Sequence, residues 1–229
     1  MIELTQERKM EINLKHQENG VRFIDINTAY IDENAKIGKG TVIYPTVVIE
    51  GKCTIGENCI IGMCTRICDS IIGDGTEIQN SVITESKIGS ETKVGPFAYL
   101  RPKSNVGDKC KVGDFVEMKN SNFGNGSKAS HLTYIGDSDV GEGVNLGCGV
   151  VFVNYDGTNK HRSTVKDGAF VGCNSNLVSP VTVEEGAYIA AGSTVTSDVP
   201  EESLYVARSK GRVIEGWVKK RGLIKGKKK

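Results

Sequence analysis

A bulky aliphatic residue recurs at every sixth position along most of this chain, a period that no ordinary element has. Ile31, Ile37, Ile43, Ile49, Ile55, Ile61 and Ile67 stand in unbroken register. After irregular steps through Ile72 and Ile78, a second run reads Val82, Ile88, Val94, Leu100, Val106, Val112 and Met118. Phe123, Ala129 and Ile135 continue it, then Val140, Leu146 and Phe152. A last run reads Val165, Val171, Leu177, Val183, Ile189 and Val195. A helix repeats about every 3.6 residues and a strand about every 2, so neither explains the spacing. Fixed short self-similarity marks a coiled parallel β-solenoid, an all-β fold for which hexapeptides are one known repeat.

A second position confirms the register. Four residues after each aliphatic stands something smaller: Ala35, Thr41, Val47, Cys53, Cys59 and Thr65 in the first run. Ser86, Thr92, Ala98, Ser104, Cys110 and Val116 follow in the second, and Ala169, Ser175, Val181, Ala187 and Ser193 in the last. Both positions point inward, one large and one small side chain per side of a narrow lumen. Cys53, Cys59 and Cys110 therefore read as packing residues rather than metal ligands. Gly often follows the aliphatic (Gly38, Gly56, Gly62, Gly89, Gly95, Gly107, Gly113), where a tight turn with positive φ is expected.

Three hexapeptides complete one triangular coil, so Ile31 to Val195 predicts roughly nine coils. Ahead of them, residues 5–19 read as a helix capped by Thr5 and stopped by Gly20. The twelve residues VNYDGTNKHRST (153–164) cannot fit into one coil and must bulge out as a loop, a common place for function. The expected organisation is thus a helix over 1–20, the solenoid over 21–200 with its inserted loop, and a tail over 201–229.

Charge narrows the function classes. The last eleven residues, from Lys219, carry seven positive charges, leaving residues 1–218 with 22 basic and 28 acidic groups. An acidic body without aromatic-interleaved basic patches argues against nucleic-acid binding. The basic end reads as a solvated terminus or as a contribution to binding an anionic ligand. No apolar stretch approaches the roughly 20 residues of a spanning helix, so no membrane partner is expected. Seven cysteines without a C-x-x-C pair suggest a reducing cytoplasm as the simplest compartment. Of the three histidines, His16 lies on the N-terminal helix, His131 falls near a coil corner and His161 lies in the inserted loop. Two histidines in the coils at an unfamiliar spacing do not suggest a zinc site, and no metal is expected.

The stretch GPFAYLRPKSNVGDKCKVGDFVEMKNSNFGNGSKASHLTYIGDSDVGEGVNLGCG resembles one known family, as do NYDGTNKHRSTVKDGAFVG and AYIAAGSTVTSDVP. That family is the C-terminal acetyltransferase domain of the bifunctional N-acetylglucosamine-1-phosphate uridyltransferase/glucosamine-1-phosphate N-acetyltransferases, a branch of the hexapeptide-repeat acyltransferases. The resemblance is strongest from Gly95 to Arg208, and SHLTYIGD with NYDG and its following Lys is its most specific part. It implies a left-handed parallel β-helix, which the repeat alone does not settle, and a homotrimer. It implies N-acetylation of glucosamine-1-phosphate by acetyl-coenzyme A, and an N-terminal helix left from an interdomain linker. Uridylyl transfer and its magnesium are expected to be absent, since no Gly-rich nucleotide loop is found.

Residue by residue, the resemblance makes His131 the general base and Glu117 the acid that helps hold His131 or the substrate. Arg101 and Lys119 receive the sugar phosphate, with Tyr134, Asn145 and Lys160 as further contacts. Asn154, Tyr155, Ala191 and Arg208 surround acetyl-coenzyme A. Cys173 stands where the family has serine, and Cys148 replaces an alanine beside the acceptor site. The chemistry agrees: a neutral imidazole can deprotonate an amine that attacks a thioester, and Arg and Lys suit a phosphate. A backbone N–H near Asn154–Tyr155 is the candidate oxyanion donor. Acetylation of another amino sugar or nucleotide sugar, or a non-catalytic scaffold, are the competing readings.

Overall fold

A computed structural model describes residues 5–223, so the last lysines of the basic end lie outside the described residues. Helix α1 (Gln6–Glu18) opens the chain. Thr5 Oγ1 accepts the Arg8 N–H at 3.2 Å, and Gly20 follows the last turn at φ +90°. Ile12 joins the core, while Asn13 Nδ2 donates to the carbonyls of Ile26 (2.9 Å) and Ala29 (3.0 Å). The Lys9 ammonium reaches the Asn27 carbonyl at 2.6 Å, so α1 seals the first coil.

From Arg22 the chain winds into a parallel solenoid of about ten turns, with three sheets of 11, 10 and 9 short strands. The first sheet exceeds the repeat because Arg22–Phe23 and Leu204–Tyr205 add a strand at either end. The last coil therefore passes the expected boundary at 200: Leu204 and Tyr205 pair with Tyr188 and Ile189. Trp217 begins a short helical turn (Trp217–Lys220) in an exposed tail. No helix among the described residues is long and apolar enough to cross a membrane.

The inward register is as read, with one exception. Ile83, not Val82, is the buried residue, and Val82 stands on the outer face between Arg66 and Tyr99. The irregular steps have a common construction. Five sides are one residue short: Ile67–Ile72, Ile78–Ile83, Ile83–Ile88, Met118–Phe123 and Ile135–Val140. In each, a left-handed residue stands two positions after the inward aliphatic: Asp69, Asn80, Glu85, Asn120 and Asp137. In each, the next residue is a buried serine: Ser70, Ser81, Ser86, Ser121 and Ser138. The Ser70, Ser81, Ser86 and Ser121 hydroxyls donate to the carbonyl two residues back at 2.6–2.8 Å. Several also accept an N–H from the next coil, as Ser121 Oγ does from Ser138 at 3.1 Å. The small hydroxyl thus closes the tighter corner and satisfies backbone groups that the lost residue leaves.

The glycines that follow the inward aliphatics have a different cause from the one expected. Of that set only Gly95 has positive φ. The others stand where successive coils touch: a Cβ on Gly89 would lie 2.5 Å from the Gly107 carbonyl carbon. Close approach, not turn conformation, selects them. Cys53, Cys59 and Cys110 are buried as expected, and burial raises their thiol pKa values.

Candidate active site

His131 ends the strand Lys128–His131, at the corner between the first and second sheets. The register along that corner runs Val112–Ala129–Leu146–Val171–Ile189. Two residues further on in each coil stand Asp114, His131, Cys148, Cys173 and Ala191. Four residues expected at the site therefore occupy one line over successive coils. Adjacent strands lie about 4.8 Å apart, so His131 and Ala191 are separated by roughly 14 Å. Arg208 Nη1 donates to the Ala191 carbonyl at the far end of that line.

Around the corner, the second sheet carries the cations. Arg101 and Lys119 occupy equivalent outward positions on adjacent strands, with Gly136 next in line. Arg101 Nη1 donates to Glu117 Oε1 at 2.8 Å. Glu117 thus stands with the cations and makes no hydrogen bond to His131; that contact belongs to Asp114. Lys119 Nζ lies 3.6 Å from Asp137 Oδ2. Asp137 is buried and also accepts from Asn120 Nδ2 (2.6 Å) and Asn154 Nδ2 (2.5 Å). Burial alone would raise the Asp137 carboxyl, but those amide donors and the charges of Lys119 and Lys160 hold it below its ordinary value. The Tyr134 hydroxyl accepts from Asn154 Nδ2 at 3.4 Å. Gly136 makes room for this: a Cβ there would lie 2.4 Å from the Tyr134 hydroxyl.

The inserted loop is tied to this cluster. Asp156 Oδ1 accepts the N–H groups of Thr158 and Asn159 at 2.7 and 2.6 Å, and Tyr155 bridges to Lys160. Arg162 grips Asp139 through two contacts of 2.5 Å and donates to the carbonyls of Asn120 and Ser138. Lys160 Nζ lies 5.5 Å from the centre of the Tyr155 ring. Asn145 stands apart, on the outer face of the first sheet between Lys128 and Phe170.

Sequence reasoning missed Asp114. Its Oδ1 lies 2.5 Å from His131 Nδ1, and the two residues are register partners. The hydrogen bond from His131 holds the Asp114 carboxyl below the usual carboxylate range. His161 is bound through its other nitrogen, Nε2, to Asp156 Oδ2 at 2.6 Å. Among the described residues no group of three or more His, Cys, Asp and Glu side chains is placed to hold a metal ion.

Residues 26–94 match the family model of the GMPPB C-terminal domain. Among curated proteins, the bifunctional protein GlmU of Alkaliphilus oremlandii (strain OhILAs) is 58% identical over 217 residues, 95% of this chain and 48% of that protein. GlmU of Clostridioides difficile (strain 630) is 56% identical over 213 residues, 93% of this chain and 46% of that protein. The chain spans about half the length of the curated relatives it matches. In fold alone it is similar to the UDP-N-acetylglucosamine acyltransferase of Francisella novicida. The TM-score is 0.50 at 21% identity, over 85% of this chain and 72% of that one.

Proposed function

From the premise that this chain resembles one half of the bifunctional GlmU proteins along nearly its whole length, we propose that it is the acetyltransferase half. It transfers acetyl from acetyl-coenzyme A to the amine of glucosamine-1-phosphate. One observation carries the reading: the line His131–Cys148–Cys173–Ala191 runs along one edge of the second sheet, and that sheet carries the Arg101–Lys119 pair at its other edge. The acetyl-coenzyme A arm lies along the line with its thioester at the His131 end, and Arg208 and Ala191 contact it further up. The sugar phosphate sits on Arg101 and Lys119, with Tyr134 and Lys160 around it; Asn145 and the His131 line, apart from them within one chain, join them across a subunit boundary. The product is an N-acetylated sugar phosphate, the kind of precursor used for cell-wall polysaccharide, and the setting is the cytoplasm. No metal takes part.

The chemistry is direct transfer. The amine nitrogen attacks the thioester carbonyl while its proton passes to His131 Nε2. The tetrahedral oxyanion is met by the Tyr155 backbone N–H, since that of Asn154 already donates to the Phe152 carbonyl. The C–S bond then breaks, and the proton moves from Nε2 to the departing sulfur. Thiol release from acetyl-coenzyme A with glucosamine-1-phosphate, against UDP-glucosamine and other amino sugars, tests the reading. Equal rates with all acceptors would overturn it.

Arg101→Ala and Lys119→Ala are each expected to raise the KM for the sugar phosphate far more than that for acetyl-coenzyme A. Each removes a charge-assisted contact, worth about 1.5–3 kcal/mol. Equal losses for the two substrates in steady-state kinetics would point to structural damage instead.

The active unit is a homotrimer. Exposed Val206, Val213, Ile214, Trp217 and Val218 give the tail an apolar surface that its own solenoid leaves open, and a neighbouring subunit covers it. Light scattering on an active sample is expected to return a trimer mass, and deleting residues 207–229 to abolish most activity. A fully active monomer contradicts both.

A further inference from the structure

Two histidines on this chain are bound to aspartates, and they are bound through opposite nitrogens. His161 donates from Nε2 to Asp156, inside the loop. His131 is held at Nδ1 by Asp114, at the corner between the first and second sheets. No protein group among the described residues hydrogen-bonds His131 Nε2, and the side chain is 53% exposed.

We propose that Asp114 is the positioning residue of the base: it accepts the Nδ1 proton of His131 and so leaves the Nε2 lone pair to take the proton of the amine. This deepens the acetyl-transfer reading and rests on it.

The contact is built by the backbone rather than by chance meeting of surface side chains. Lys111 pairs with Lys128, Val112 with Ala129 and Asp114 with His131, so the two side chains leave adjacent strands at one level. The Leu132 N–H donates to the Asp114 carbonyl at 2.9 Å, which locks the residue after the histidine to the same position. Gly113 lets the strands come this close, since its missing side chain would strike Ser130. An ionised carboxylate only accepts, so the imidazole must donate from Nδ1, and the neutral ring is then confined to one tautomer. The depressed Asp114 carboxyl agrees with an ionised acceptor. When Nε2 takes the amine proton, the same carboxylate faces an imidazolium and steadies the charge until the proton passes to sulfur. Glu117 cannot serve, because its carboxylate is bound to Arg101.

The test compares Asp114→Ala and Asp114→Asn in the full chain by kinetics and by 15N NMR of labelled histidine. Alanine removes the acceptor, whereas asparagine keeps an oxygen that can receive the Nδ1 proton. In the unaltered protein the neutral His131 ring should carry its proton on Nδ1, and in Asp114→Ala both tautomers should appear. The alanine variant should lose about 10–100-fold in kcat, as residues that orient a reacting group do, with both KM values little changed. Asparagine, with its oxygen on Nδ1, should recover the Nδ1 tautomer and only part of kcat, because a neutral amide does not steady the imidazolium. An unchanged kcat or unchanged tautomer in Asp114→Ala overturns the proposal, as does a loss confined to KM or an asparagine variant no better than alanine. If the unaltered protein does not acetylate glucosamine-1-phosphate, the functional reading falls, while the NMR result still reports on Asp114 and His131.

Discussion

Replacing His131 with alanine is expected to lower kcat with glucosamine-1-phosphate by two or more orders of magnitude while the protein stays folded. General-base catalysis contributes about 10²–10⁴-fold, and the neutral amine that attacks must give up a proton for the amide to form. The ring is half exposed at a corner and makes one side-chain hydrogen bond, to Asp114, so its loss opens no cavity in the core. Melting temperature and acetyl-coenzyme A affinity should therefore stay near those of the unaltered protein. His161 cannot substitute, because its Nε2 is bound to Asp156 and it is fixed within the loop. Turnover within tenfold of normal in His131→Ala would remove the base from this corner; the same variant of His161 would then be the next measurement.

Gly113→Ala should be nearly as damaging, though the position touches no substrate. A Cβ there would lie 1.9 Å from the Ser130 carbonyl oxygen and 2.6 Å from its carbon. Those atoms belong to backbone, so no rotamer change relieves the clash, and the strands Lys111–Asp114 and Lys128–His131 must move apart. Overpacking of this kind costs about 1–3 kcal/mol, which for a chain of this size lowers the melting midpoint by several degrees. The larger effect is on rate. Ser130 precedes His131, and a displacement of about 1 Å at a reacting group can cost about 100-fold. A Gly113→Ala protein with normal kcat would show that the corner tolerates movement and that the register does not set the geometry.

The solenoid was legible because its core is written in the chain as a row of aliphatics, each followed by a smaller inward residue. The point where the register slips was not. Val82 and Ile83 are adjacent and both β-branched, so hydrophobicity cannot choose between them, whereas Ser81 and Ser86 mark the shortened sides once the rule is known. Of the candidate site, the repeat placed His131 near a corner, and the family motif supplied the cations. Asp114 escaped because its partner lies one coil away. The separation is 17 residues, since the short side Met118–Phe123 intervenes, and no local motif spans that distance. Asp137 escaped for a related reason: its contacts to Asn120, Lys119 and Asn154 join three coils. Asn154 reaches it because it stands one coil further on at the same corner position, 17 residues away.

Stacked parallel strands carry no intrinsic length. Each coil presents to the next the same rows of amides and carbonyls, and a bare terminal coil is a template on which another chain can add, as in fibrils. Helix α1 closes that opportunity at one end of this molecule. Its Asn13 amide and Lys9 ammonium occupy the Ile26, Asn27 and Ala29 carbonyls, and Ile12 fills the mouth of the lumen. A second molecule could dock end-on there only by stripping away a polar side-chain lid that no β-strand can mimic. The helix therefore acts as a terminator, making a fold that could polymerise into an object of fixed size.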